Sequence, residues 1–330
     1  MKLADTANKL LSAPGDRIIP QLIVEKRFII NICENRGWSG VWHFTRPPNC
    51  IHIFTDGSRR GNLSGAGIFC EQFSWEISIN LGGHVTVFQA ELHALYLSAK
   101  ICNSKRIVDK TICIFTDSKS ILQSLSRSET NSRSVLECVL ELNALSINNI
   151  VHLIWIPAHQ GIFGNERADE YAKRGAMYPP TGPEPFLPLA SITVKQLLYE
   201  WALQKHKEIW ESSDSCRQTK LLISQPLTNI SKKLLNLSRS MLRALIGLIT
   251  GHHPVNDHLS TMGLSNTRLC RFCDTDIEST YHLLCLCPKF ERSRQQAFGF
   301  DYLSSAMYSN VNIIDVLRFM KLESIILLQN

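Results

Sequence analysis

The hydrophobic pattern of the chain becomes regular at residue 51. Three β-rich stretches, near 51–56, 65–70 and 74–81, are separated by "DGSRRGNLSG" and a short "EQF" link, the spacing of an antiparallel meander. The period then lengthens. In "VFQAELHALYLSAKI", Phe88, Leu92, Leu95 and Ala99 recur at helical spacing, which predicts an amphipathic helix over 87–102. An apolar run at 111–116 reads as a strand, and the helix expected after it starts at Ser118, whose hydroxyl suits a helix N-terminus. A helix near 132–148, the strand "VHLIWIP" and a helix from about 164 to 176 complete a unit of mixed strands and helices. The order strand, helix, strand over 51–56, 87–102 and 111–116 predicts that the outer two run parallel in one sheet.

Outside this region the pattern is less regular. In the first 50 residues, "PQLIVEKRFIINICENRGWSGVWHF" accommodates a strand or a short helix and carries no chemical motif. "YPPTGPEPFLPL" (178–189), with five prolines and a glycine, reads as a linker. Beyond it "SITVKQLLYEWALQKHKEIWES" and "SKKLLNLSRSMLRALIGLITG" read as helices, the second closed by Gly251. The stretch "VNIIDVLRFMKLESIILL" is expected to be a core or partner-binding helix, because Asp315, Arg318, Lys321 and Glu323 interrupt it. The expected organisation is an unassigned extension over 1–50, a domain over 51–177, a Pro-rich linker over 178–189 and a helical region over 190–330.

Composition adds bounds. A chain of 330 residues, 44% hydrophobic and 19% charged, can bury two modest cores. The net charge of +6 sits in the flanks: residues 1–50 carry 7 Lys/Arg against 4 Asp/Glu, 51–189 carry 12 against 13, and 190–330 carry 16 against 12. This imbalance is too small to identify a nucleic-acid binder by itself. Most of the 11 cysteines stand alone in apolar runs such as "GIFCEQF" and "TICIF", as expected for buried free thiols in a reducing compartment. No apolar stretch reaches the roughly 18–20 residues of a membrane span, and the N-terminus lacks a secretory pattern. The expectation is an intracellular protein of nucleus or cytoplasm, not secreted and with no membrane partner.

The candidate chemistry is carried by acids. Ile-Phe-Thr-Asp occupies 53–56 and again 114–117, each time closing an apolar strand. Open α/β sheets place ligands at the carboxyl ends of their strands. Taken singly, Asp56 could open a turn and Asp117 could cap a helix. Glu91, however, lies on the apolar side of its helix, where an unpaired charge would cost several kcal/mol. Asp169 stands one turn into a helix whose Ala168 and Ala172 suggest close packing. Four converging acids repel one another unless cations compensate, and all-oxygen ligands suit Mg2+ or Mn2+. Two such ions about 4 Å apart are the usual device for displacement at phosphorus.

Asp56 in "FTDGS", Glu91 in "FQAELHAL", Asp117 in "FTDSKS" and Asp169 in "HQGIFGNERAD" resemble, in order and spacing, the Asp-Glu-Asp-Asp signature of type 1 ribonuclease H. The resemblance implies a mixed five-stranded sheet flanked by helices over 51–177, two Mg2+ or Mn2+ ions, and an RNA/DNA hybrid as substrate. It further implies that Asp56 bridges both ions, that Asp169 completes the site of the ion activating water, and that Glu91 and Asp117 hold the leaving-group ion. His159 resembles the family's mobile histidine, and Glu166 resembles an acid that tunes metal exchange. Gly57 and Ser58 match backbone readers of ribose 2′-hydroxyls, Asn62 a minor-groove reader, and Thr86 with Ser118 a pocket for a DNA-strand phosphate. The sequence departs from the family at Val87 and Phe88, where many cellular enzymes have paired asparagines. It departs again over 118–151, which has no Trp and few basic residues where some members have a basic protrusion. Arg59 and Arg60 are equally consistent with phosphate contacts and with a solvated turn.

"CRFCDTDIESTYHLLCLCP" offers Cys270, Cys273, His282 and Cys287 at zinc-ligand spacing, a knuckle over 270–287. With the linker it resembles the C-terminal end of an arthropod-like non-LTR retrotransposon polyprotein, whose "HLLxxCP" pattern makes Cys287 the ligand and Cys285 a packed thiol. The knuckle could hold nucleic acid or staple a small helical domain. His252, His253 and His258 are expected at the surface. No Tyr-x-Asp-Asp palm motif occurs, so the resemblance implies a retroelement-derived hybrid-cleaving nuclease without a reverse transcriptase. The alternative is a catalytically idle nucleic-acid-binding remnant. A structural binder of double-stranded RNA is disfavoured, because binding does not require converging acids.

Overall fold

A computed structural model describes residues 13–23, 25–32, 50–179, 184, 186–223, 231, 234–308 and 311–323. The chain divides into two compact units, Met1–Tyr199 and Glu200–Asn330. In the first, the strands are β1 (Arg17–Leu22), β2 (Ile29–Asn31), β3 (Ile51–Arg60), β4 (Leu63–Cys70), β5 (Trp75–Gly82), β6 (Thr111–Thr116), β7 (Glu129–Ser132) and β8 (Ile150–Trp155). The helices are α1 (Val87–Ser104), α2 (Lys119–Ser126), α3 (Arg133–Leu145), α4 (Phe163–Gly175) and the start of α5 (Ser191–Ser212).

The main sheet has the order β2-β8-β6-β3-β4-β5. Strands β3, β6, β8 and β2 are mutually parallel along the sheet, whereas β3, β4 and β5 form the antiparallel meander. The five expected strands are therefore joined by a sixth. β2 comes from the N-terminal stretch that carried no motif, and it extends the edge beside β8. β1 from the same stretch pairs antiparallel with β7, where β7 occupies the connection between α2 and α3.

Period-2 alternation sorts the side chains between two faces. Ile53, Ile112, Ile114 and Leu153 pack with α1, α2 and α3 in the larger core. Phe54, Phe69, Cys113 and Phe115 pack on the other face against Ala168 and Tyr171 of α4. Helix α1 starts where its caps allow: Thr86 Oγ1 accepts from Gln89 N, and the Gln89 side chain accepts from Thr86 N. Ser118 does occupy the N-cap of α2, but its hydroxyl meets Ser120 Oγ at 3.1 Å and makes no capping bond.

Two expectations need correction. Among the described residues of the Pro-rich stretch Tyr178, Pro179, Glu184 and Phe186 are exposed, but its end, from Leu187 to Leu189, is packed. Leu189 N donates to Pro14 O, Asp16 N donates to Leu189 O, and Gln89 Nε2 donates to Pro188 O, which leaves Leu189 buried on the first unit. Apolar Leu187 and Leu189 explain this, since their burial opposes the extended preference of the prolines around them. The cysteines are not all free either. Cys50 and Cys113, brought together by the pairing of β3 with β6, form a disulfide under α4.

In the second unit, α6 (Arg217–Leu222), α7 (Arg239–Thr250), α8 (Asn256–Thr261), α9 (Glu291–Phe298), α10 (Ser305–Tyr308) and α11 (Ile313–Leu322) surround one apolar cluster that includes Cys270, Cys285 and Cys287. Gly251 closes α7 at φ 78°, and α11 buries Ile313, Val316, Phe319 and Met320 as a core helix. Among the described residues, no helix is long and apolar enough to cross a membrane.

Helix α4 approaches the sheet closely because β4 presents glycines. A Cβ on Gly67 would overlap the Ala168 carbonyl and the Ala172 nitrogen, and one on Gly65 would overlap Ala172 and Ala176. These obstacles are backbone and cannot swing aside. Gly67→Ala is therefore expected to lower unfolding stability by about 1–3 kcal/mol, while Gly15→Ala, with open space around it, changes it by less than about 0.5 kcal/mol. Urea denaturation of the two variants measures the difference.

Candidate active site and metal centres

Strands β3 and β6 pair with Ile53 opposite Ile114 and Phe54 opposite Phe115, so the two Ile-Phe-Thr-Asp copies lie side by side in register. Thr55 Oγ1 donates to the Phe115 carbonyl across the pair at 3.2 Å, and the Phe54 and Phe115 rings stack at 4.8 Å. Asp56 and Asp117 consequently leave the same end of the sheet. Glu91 reaches them from α1, which lies tight against β3 because a Cβ on Gly57 would overlap the backbone of Ala90 and Glu91. The glycine in "FTDG" is thus demanded by helix packing, a constraint additional to the hybrid contact expected from the resemblance.

Oxygen atoms of Asp56, Glu91 and Asp117 all lie within 4.8 Å of one another. Asp56 and Glu91 are only 6% and 8% exposed, and Glu91 Oε2 has no hydrogen-bond partner among the described residues. Burial, followed by the charges of Asp117 and Asp169 and a hydrogen bond with Asp169, pushes the Asp56 carboxyl up to about 8. Burial, then Asp56 and Asp117, pushes Glu91 up to about 10. An orphaned carboxylate oxygen among crowded acids fits a hard divalent cation, and oxygen donors favour Mg2+ or Mn2+ over zinc.

Asp169 stands outside this trio. It hydrogen-bonds to Asp56 and accepts from Lys173 Nζ one turn along α4. Lys173 was not singled out in the sequence, although its i,i+4 spacing from Asp169 is visible there. Two further neighbours also went unnoticed. Trp155 Nε1 donates to the Asp117 carbonyl at 3.0 Å, and Asn165 Nδ2 donates to Asp117 Oδ2 at 3.4 Å.

The other expected residues differ in exposure. His159 is exposed on the turn before α4 with φ 53°, and Glu166 is exposed in the first turn of α4. Ser58 is half-buried on β3, Asn62 is exposed in the β3–β4 turn, Thr86 caps α1, and Ser118 occupies the N-cap of α2 without a capping bond. Arg59 and Arg60 are exposed at the end of β3.

The second unit brings Cys270, Cys273, His282 and Cys287 together, with donor atoms within 4.8 Å. Cys270 Sγ and Cys287 Sγ are 3.9 Å apart, and Cys273 Sγ lies 3.4 Å from His282 Nε2. The edges of a tetrahedron built on zinc bond lengths are about 3.8 Å for S···S and about 3.6 Å for S···N. The four ligand atoms therefore fit zinc. Cys285 lies buried beside them, its thiol pushed up to about 12 by burial against the opposing charge of Arg294.

Supporting contacts hold this cluster. Burial raises the Cys273 thiol, but hydrogen bonds from the Thr275 side chain and backbone, His282 and Cys270 prevail and lower it to about 6. His282 Nδ1 faces Asp276 Oδ2 at 3.5 Å without a hydrogen bond. Buried Glu278 accepts from Arg271 N at 2.7 Å and Asn256 N at 2.9 Å, tying the Cys-x-x-Cys turn to α8. His253 is fully buried, contrary to its expected surface position, because it packs against Gly247 of α7.

Residues 48–177 match the family model described as RNase H. The segment that builds the mixed sheet and its acidic cluster is thus similar to RNase H domains.

The crowded acids oppose folding when no metal is present. Glu91 holds its proton to about pH 10 when folded, and a glutamate in an unfolded chain releases it near pH 4.3. The folded state then binds more protons between these values, so metal-free stability falls as pH rises across that window. Glu91→Gln is expected to stabilise the metal-free protein at pH 8 by about 1–3 kcal/mol and to change it little near pH 4. Urea midpoints in chelator at the two pH values provide the comparison.

Proposed function

We propose that this RNase H-like domain hydrolyses the RNA strand of RNA/DNA hybrids by a two-metal mechanism. The observation that carries this reading is the trio of acidic oxygens from Asp56, Glu91 and Asp117 within 4.8 Å, an arrangement that like-charge repulsion disfavours without bound cations. Asp56, Glu91, Asp117 and Asp169 would together hold the two ions. Bound there, Mg2+ or Mn2+ would supply the positive charge that activates water and offsets negative charge growing on the leaving 3′-oxygen.

The remaining roles belong to the chain's own groups. The imidazole of His159 takes a proton from the attacking water or assists product release, for which its exposed turn gives freedom. Glu166, on the same helix as Asp169, tunes metal exchange. The backbones of Gly57 and Ser58 contact 2′-hydroxyls, and Asn62 contacts the minor groove. Thr86 and Ser118 open α1 and α2, whose N-terminal N–H groups favour a DNA-strand phosphate.

For the second unit we propose a structural zinc knuckle held by Cys270, Cys273, His282 and Cys287. Its "HLLCLCP" pattern supports descent from a retroelement polyprotein.

Purified protein is expected to cut the RNA of a labelled hybrid only with Mg2+ or Mn2+, and to leave duplex DNA largely intact. Asp56→Asn should lower the rate at least about 100-fold. Protein that binds hybrid but does not cut it, with no effect of Asp56→Asn, is the idle binder instead. For the knuckle, elemental analysis should find one zinc per chain, lost in Cys273→Ser; zinc-free folded protein rejects the site.

A further inference from the structure

Arg294, on α9, is the largest fully buried side chain, at 0% exposure. Its Nε donates to the Asp301 carbonyl, and its guanidinium lies over the Tyr302 ring at 5.1 Å. Both Nη atoms lack an acceptor among the described residues. Glu291, one turn earlier on the same helix, is exposed and its carboxylate accepts from Tyr302 Oη at 3.4 Å. Burial lowers the Arg294 guanidinium below its usual value, and the groups that oppose this are, in order, Cys287, Tyr302, Cys285 and Glu291. The loop that holds Arg294 is joined to the ligand turn, since Leu303 N donates to the Cys285 carbonyl at 3.1 Å.

A buried guanidinium without an anion is unfavourable by several kcal/mol. The proposed knuckle has the opposite imbalance. Three thiolates, a neutral imidazole and a divalent ion leave one net negative charge among Cys270, Cys287 and His282, all of them buried. Each charge alone is misplaced in this core, and together they cancel.

We infer that Arg294 is the built-in counter-cation of the metal-loaded knuckle, a positioning residue whose unpaired Nη groups serve the thiolate face at Cys287. The inference rests on the zinc reading. It adds that charge balance in the second unit is complete only when metal is bound. Without metal, both buried Nη groups stay without an acceptor among the described residues.

The test uses the full chain, with zinc affinity from competition against a chromophoric chelator and urea unfolding in zinc and in chelator. Arg294→Met keeps the length of the side chain and removes its charge. Its zinc affinity is expected to fall roughly 10- to 100-fold, and Arg294→Lys should recover most of the loss. The stability effect should also change sign. With zinc, Arg294→Met is less stable than the parent; in chelator it is equally or more stable. Zinc affinity within twofold of the parent, or an equal stability loss in both states, overturns the inference and leaves a packing role. If Arg294→Met does not fold, Arg294→Lys against Arg294→Gln decides, because only the charged variant should retain zinc. Parent protein that binds no zinc defeats the knuckle reading, and the inference with it, whereas an insensitive Arg294→Met in a zinc-binding parent defeats the inference alone.

Discussion

The in-register parallel pairing of β3 with β6 is the contact on which the first unit depends. Because the strands stay in step, Asp56 and Asp117 emerge from the same end of the sheet. Everything nearby is arranged around the electrostatic cost. Gly57 admits α1 and with it Glu91, while Gly65 and Gly67 admit α4 and with it Asp169. Close helix packing and crowding of like charge are therefore one feature: each glycine that deepens the core also pushes another carboxyl towards Asp56. Such a site is less stable than an apolar one of equal size, as expected where function requires strain or charge repulsion.

The second unit meets a similar constraint with other donors. Its core encloses Cys270, Cys285 and Cys287 along with apolar side chains, so the proposed metal would sit inside the packing and not at its rim. Two buried charged residues flank the ligands in different ways. Glu278 is paired with Arg271 at 2.8 Å and holds the Cys-x-x-Cys turn through the backbone. Arg294 has no such carboxylate among the described residues: its Nε donates to the Asp301 carbonyl and both Nη atoms lack an acceptor.

What was legible in the sequence follows from what repeats or alternates. The acids were visible because Ile-Phe-Thr-Asp occurs twice and because Glu91 breaks an apolar helix face. The choice of Cys287 over Cys285 came from the "HLLxxCP" resemblance, and Cys287 is the one whose donor atom lies with those of Cys270, Cys273 and His282 within 4.8 Å. Tertiary partners left no such trace. β2 and β1 are short, and one pairs with β8 while the other pairs with β7, more than a hundred residues away in each case. No local period encodes such a pairing. The same applies to Leu189, whose prolines suggested a linker but whose burial is decided by contacts with residues near Pro14. Arg294 in "ERSRQQAF" looks like one of several polar residues on a solvated helix, and only packing reveals that it is enclosed.

Both units bury like charge, yet metal should matter differently to each. The main sheet has extensive apolar clusters on both faces, so its packing does not rest on the acids even though they oppose it. Asp169, half-buried, already has Lys173 as a partner, which relieves part of the repulsion at the outer edge of the site. In the second unit the ligands belong to the core, and the residue that would balance the loaded cluster is fully enclosed. Metal binding there would be part of the folding free energy itself. A chelator should therefore disable the first unit chemically while leaving it folded, and loosen the second unit as a structure. The difference arises because the carboxylates line the end of a sheet that is packed without them, whereas Cys270, Cys287 and Arg294 are enclosed in the second unit.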